Sequence, residues 1–191
     1  MLGAGVDDLD AVAALGLGGV EGTVREDHPL SLSSVARYEF LTTWLLPAAR
    51  TEVWDVLQDP IAWPVWWRGV ESVEELDGGD GQRVGSRYRV RWRSLVPYSV
   101  EFEFEVDQIE RPLSMTGRAT GELEGTGTWR LYEQDGVTAV TYDWRVATTK
   151  PWMNLIAPLA RPVFEWNHDW VMAHGGEGLA RRLGAELIAS G

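Results

Sequence analysis

The feature that most constrains this chain is a strict two-residue alternation between Val84 and Asp107. Val84, Ser86, Tyr88, Val90 and Trp92 fall on one parity, and Arg87, Arg89, Arg91 and Arg93 on the other. A few residues on, Tyr98, Val100, Phe102, Phe104 and Val106 share one parity, and Glu101, Glu103, Glu105 and Asp107 share the other. Side chains along a strand point alternately to opposite faces, so the pattern predicts two half-buried strands. Folded back about residues 95–97, they set four arginines across from four acids on the solvent face. Opposite charges facing across a ladder contribute about 0.2–1 kcal/mol per pair. A one-residue slip would turn one strand's charges into the core, so the pattern also fixes the register. The facing acids neutralise the arginines and remove them as a surface for nucleic acid.

The remaining sequence from Arg37 supplies more strands and two helical regions. Residues 37–46 read as a strand with Tyr38, Phe40 and Trp44 on one side, ended by Pro47. Val53, Trp54 and Leu57 are spaced as on a short helix, which Asp59-Pro60 closes before a second one carrying Trp63, Trp66 and Trp67. Further strands are expected at 113–119, 122–132 and 137–148, the last two joined by the turn Gln134-Asp135-Gly136. Their inward residues are Trp129 and Leu131, then Tyr142, Trp144 and Val146. Gly117, Gly121, Gly125 and Gly127 permit bulges and bending and leave room on a concave face. The proline-free run from Pro162 to Ile188 predicts a terminal helix of roughly 40 Å. Its apolar rows are Leu159, Val163, Trp166 and Trp170, and Phe164, Val171, Leu179 and Leu183. Gly175, Gly176 and Gly178 are expected to loosen its middle. The fold class is therefore α+β, a curved antiparallel sheet around a long C-terminal helix with an internal cavity.

Composition narrows the function classes. The formal charge of −12 repels phosphates and anionic lipid surfaces, which argues against nucleic acid as a partner. The absence of cysteine removes disulfides, thiolate catalysis and cysteine-based metal sites. The three histidines, His28, His168 and His174, are too scattered for a zinc site, so no metal is expected. Gly78-Gly79-Asp80-Gly81 lacks the lysine and serine of a phosphate loop and reads as a hairpin turn, and no cofactor is implied. Residues 1–35, rich in glycine, alanine and acids, read as a poorly structured or weakly helical extension outside a ligand-binding domain at 37–187. The apolar stretch from Leu9 to Val20 follows acids rather than a basic region, and no stretch predicts stable membrane insertion. A cytoplasmic protein is expected.

The phrase Leu46-Pro47-Ala48-Ala49-Arg50-Thr51-Glu52-Val53-Trp54-Asp55-Val56-Leu57, continued by Asp59, Pro60, Trp63, Pro64, Trp66 and Trp67, resembles the polyketide cyclase/dehydrase-like members of the START/Bet v 1-like (SRPBCC) superfamily. The order of strand, short helices, hairpin-rich sheet and terminal helix is similar too. The resemblance implies a helix-grip fold with a cavity between sheet and terminal helix. It implies no fixed catalytic set, since such proteins serve as lipid carriers, hormone binders, aromatase/cyclases and protein-interaction partners.

The expected activity is binding or transport of a small hydrophobic, lipid-like or polyketide-like molecule. The expected lining is Trp44, Trp66, Tyr88, Trp92, Phe102, Trp129, Tyr142, Trp144, Val163, Asn167, His168 and Val171. Large apolar side chains with a few polar groups are what such a cavity requires. One alternative is an aromatase/cyclase-like enzyme using His168, Tyr142 or Arg145. A histidine serves as acid or base near neutral pH, and the resemblance implies that a buried arginine and tyrosine can orient a polyketone, as in cyclase-like relatives. A buried arginine without a carboxylate is costly, which favours an outward Arg145. Another alternative is a protein-interaction module with exposed tryptophans.

Overall fold

The computed structural model describes residues 36–81, 83–93 and 98–191, excepting the side chains of residues 152 and 156–160. The extension expected at 1–35, the turn about 95–97 and the side chain of Leu159 lie outside the described residues. Eight strands form one sheet: β1 (Arg37–Leu46), β2 (Val70–Asp77), β3 (Arg87–Arg93), β4 (Ser99–Glu110), β5 (Ser114–Gly121), β6 (Leu123–Gln134), β7 (Val137–Thr148) and β8 (Ala189–Ser190). Their order is β2-β3-β4-β5-β6-β7-β1-β8, and every pairing is antiparallel. Between β1 and β2 lie α1 (Arg50–Leu57), a tight turn at Pro60–Ala62 and α2 (Trp63–Trp66). The long α3 (Pro151–Leu183) covers the concave face.

The charge ladder forms with one change. Arg87, Arg89 and Arg91 face Glu105, Glu103 and Glu101, but Arg93 faces Ser99. Asp107 instead pairs with Arg118 of β5 at 2.9 Å, because β4 bulges between Val106 and Gln108. The arginines gain a second row of acids from β2, a strand the alternation did not reveal. Glu74 holds Arg89 at 3.1 Å and Glu71 holds Arg91 at 2.8 Å. These pairs are solvent-exposed and secure register more than stability. The hairpin between β6 and β7 closes at Asp135 and Gly136, both with positive φ, as a two-residue turn requires.

The terminal helix is displaced from the expected span. It begins at Pro151, where proline suits the first turn, and runs through Pro158 and Pro162. It ends at Leu183, five residues before Ile188. Gly184 adopts φ 64°, and the Ala185 N–H returns to the Ala180 carbonyl at 2.9 Å. The freed segment turns back and adds β8 to β1.

The glycines of α3 do not loosen it. A Cβ at Gly175 would stand 2.5 Å from the Trp67 ring, and one at Gly176 would stand 2.8 Å from Trp44. A Cβ at Gly178 would collide with the Trp66 carbonyl. Each glycine seats an indole or its backbone. Gly178→Ala is therefore expected to lower unfolding stability by about 1–3 kcal/mol, although alanine favours helix, because backbone must move to admit the methyl. Urea unfolding monitored by tryptophan fluorescence measures it; a stability gain would contradict the packing described.

Candidate functional site

The expected single cavity is divided in two. An aromatic cluster fills the middle of the grip: Trp67 lies 5.6 Å from Trp44, 5.5 Å from Trp66, 5.4 Å from Trp63 and 6.1 Å from Trp129 between ring centroids. Trp129 stacks on Tyr142 at 4.0 Å. Hydrogen bonds fix two of these indoles, Trp63 donating to the Leu57 carbonyl at 3.1 Å and Trp67 to the Val171 carbonyl at 2.9 Å. Trp44 and Trp66, expected to line the cavity, line neither chamber. Both are buried in the cluster, because the α3 glycines let the helix settle onto them.

The smaller chamber holds about 30 Å³, room for little more than a water molecule. Tyr88, Trp92, Phe102, Trp129 and Tyr142 are among its walls, with Arg83 and Arg111 also lining it. The larger chamber holds about 300 Å³ and lies between the sheet and the first half of α3. Trp92, Trp144, Val163, Asn167, His168 and Val171 line it, joined by Tyr38, Phe40, Tyr98, Val100, Leu123, Met153 and Phe164, which the expected list did not contain. Phe40 and Tyr98 were legible as inward residues from their parity, whereas Met153 joins through the early start of α3. Trp92 is the single described residue common to both chambers and forms the partition between them.

The larger chamber is apolar with buried polar atoms set in its wall. Tyr38 Oη, Trp92 Nε1, Asn167 Oδ1 and His168 Nε2 are buried, and none has a hydrogen-bond partner among the described residues. His168 stacks on Phe40 at 3.8 Å, while its Nδ1 is 3.5 Å from the exposed carboxylate of Asp169, a long contact. Burial lowers the His168 pKa to about 4, an effect Asp169 offsets only in part, so the imidazole is neutral at pH 7. Burial likewise raises the Tyr38 phenol, with Arg161 opposing. Tyr98 donates to Glu122 at 2.9 Å and is pushed up to about 12 by burial and by that bond.

The three catalytic candidates are not brought together. His168 lines the larger chamber and Tyr142 the smaller. Arg145 points outward, with Nε 2.9 Å from Asp143 Oδ1, because its parity on β7 is opposite to that of Tyr142 and Trp144. It cannot orient a guest in either chamber.

Residues 39–184 match the family described as polyketide cyclase / dehydrase and lipid transport. The chain belongs to that family. Similar solved structures include TTHA0849 from Thermus thermophilus, with 18% identity, a TM-score of 0.63 and coverage of 76% of this chain and 99% of that one. The Zhui aromatase/cyclase from Streptomyces sp. R1128 has 18% identity and a TM-score of 0.62, covering 78% of this chain and 94% of that one. A START superfamily protein from Mycobacterium smegmatis has 15% identity and a TM-score of 0.57, covering 76% and 97%. At these identities the likeness establishes the helix-grip fold. No curated protein matches the sequence. Among the described residues, no helix is long and apolar enough to cross a membrane.

Two outcomes follow from the site. Trp92→Ala should join the chambers, whereas Trp92→Phe should keep them apart. The alanine variant is expected to lose about 3 kcal/mol of stability, the lower end for a large aromatic because Trp92 is only half-buried. Crystal structures of both variants, with urea titrations, measure the two effects. Protonation of His168 should also couple to folding. Its native pKa lies below the unfolded value near 6.5, so between those values the unfolded chain binds more protons. Its contribution is complete above about pH 6.5 and is lost as pH falls toward 4, up to roughly 3 kcal/mol. His168→Gln should flatten stability against pH across that window; an unchanged slope would show that His168 is not buried as described.

Proposed function

We propose that this protein binds a small hydrophobic molecule in the larger chamber and releases it unchanged. The observation that carries this is a 300 Å³ space with aromatic and aliphatic walls, held open beside a cluster that is otherwise solidly packed. Burial of apolar area supplies the affinity, roughly 25 cal/mol per Å² before the costs of association. For a ligand of one or two rings this leaves a dissociation constant on the order of micromolar. Val163, Asn167, His168 and Val171 contribute the helix side of the site, and Trp92 and Trp144 the sheet side.

A second reading, turnover of a polyketide-like chain, draws on the family description and the aromatase/cyclase neighbour. One structural observation favours it: His168 puts a buried, unpartnered Nε2 in the chamber wall. The separation of Tyr142 and Arg145 from that chamber weighs toward binding alone. Native mass spectrometry of the protein purified from its host, followed by small-molecule identification after denaturation, tests the choice. The expected result is a neutral apolar compound recovered unmodified, with occupancy reduced several-fold by Val171→Trp, which fills the chamber. A compound converted to a cyclised product by the wild type but not by His168→Gln would favour turnover.

A further inference from the structure

The chamber's chemistry narrows the class of guest, an inference that rests on the binding function just proposed. The larger chamber has Arg93 as its one cationic lining residue among those described. That guanidinium is 66% exposed, and its Nη1 lies 3.5 Å from Glu71. Nearby cations are likewise engaged by carboxylates: Lys150 with Glu122 at 3.0 Å, and Arg161 with Glu165 at 2.8 Å. Residues 94–97 and the side chains of 152 and 156–160 bring no charge, being serine, proline, alanine, leucine, isoleucine, valine and tryptophan. The polar atoms Tyr38 Oη, Trp92 Nε1 and Asn167 Oδ1 are sealed within the wall and bring no charge to it.

We infer that the larger chamber selects uncharged ligands and rejects carboxylates, so that fatty acids and other organic acids are poor guests. A carboxylate taken inside would lose its hydration with no cation among the described residues free of a carboxylate partner to replace it, whereas an alcohol or ketone loses far less. The chain's net charge of −12 adds a field that repels anions before entry. The buried imidazole of His168 does not alter this, because burial keeps it neutral at ordinary pH.

Isothermal titration with a matched set tests the inference: naphthalenemethanol, methyl naphthoate and naphthoate, at neutral pH. The full chain is expected to bind the alcohol and the ester at least about tenfold more tightly than the carboxylate. Asn167→Lys, confirmed as folded by near-ultraviolet circular dichroism, is expected to narrow or reverse the preference by supplying a cation. The wild-type ratio stands by itself if that variant does not fold. Carboxylate binding equal to or tighter than the alcohol overturns the selectivity while leaving the binding function intact. Failure of all three, and of naphthalene, overturns the binding function and the selectivity with it.

Discussion

The indole of Trp67 donates to the carbonyl of Val171, and the position of the terminal helix follows from that contact. The bond is buried, where a broken partner costs the full desolvation of both groups. It can form because Gly175 leaves the indole room. Gly176 and Gly178 extend the same close approach to Trp44 and to the backbone of Trp66. The second half of α3 is thus drawn onto the aromatic cluster. Its first half carries Val163, Phe164, Asn167 and His168 in the corresponding positions and bounds the chamber. The cavity and the solid core are two consequences of one distribution of small and large residues along a helix.

That distribution also explains why the aromatic lining divides as it does. Trp129 and Tyr142 stack at 4.0 Å on the sheet side of the cluster and leave only a water-sized gap beside them. Trp144, one inward position further along β7, reaches the larger chamber instead. Trp92 packs against Phe102 at 5.6 Å and Trp144 at 6.4 Å and separates the two spaces. Unlike Trp63 and Trp67, its indole N–H has no partner among the described residues, so packing rather than a hydrogen bond sets its orientation.

The sheet was legible where alternation is strict and the two faces differ in charge. The arginines of β3 and the acids of β4 announce their strands because a helix or a slipped register would bury charge. β2 was not legible, since its glutamates fall on both parities and only the neighbouring arginines give them a purpose. The bounds of α3 were less legible, since Gly184, one of several glycines in the segment, ends it in the left-handed region and Pro151 sits in its first turn rather than breaking it. The site was half legible: parity identified which side chains face inward, as for Trp92, Trp144 and His168. It could not tell a cavity wall from a packed core, because Trp44 and Trp144 carry the same inward signature and differ only in what α3 presents to them.

The same burial that makes the chamber hospitable to an apolar guest weakens the case for catalysis there. General acid–base catalysis works best when the pKa of the group lies near the working pH. His168 sits at about 4, chiefly through desolvation, and Asp169 lies too far and too exposed to restore it. A neutral acceptor bound beside His168 would raise that value by hydrogen bonding to the imidazolium, while the water it displaces would act the other way. The histidine is accordingly better suited to a neutral hydrogen bond than to moving a proton. With Arg145 held outside by Asp143, no second group in the chamber compensates among the candidates the sequence offered. Within a family whose description spans chemistry and transport, these observations support the proposed reading of binding without turnover.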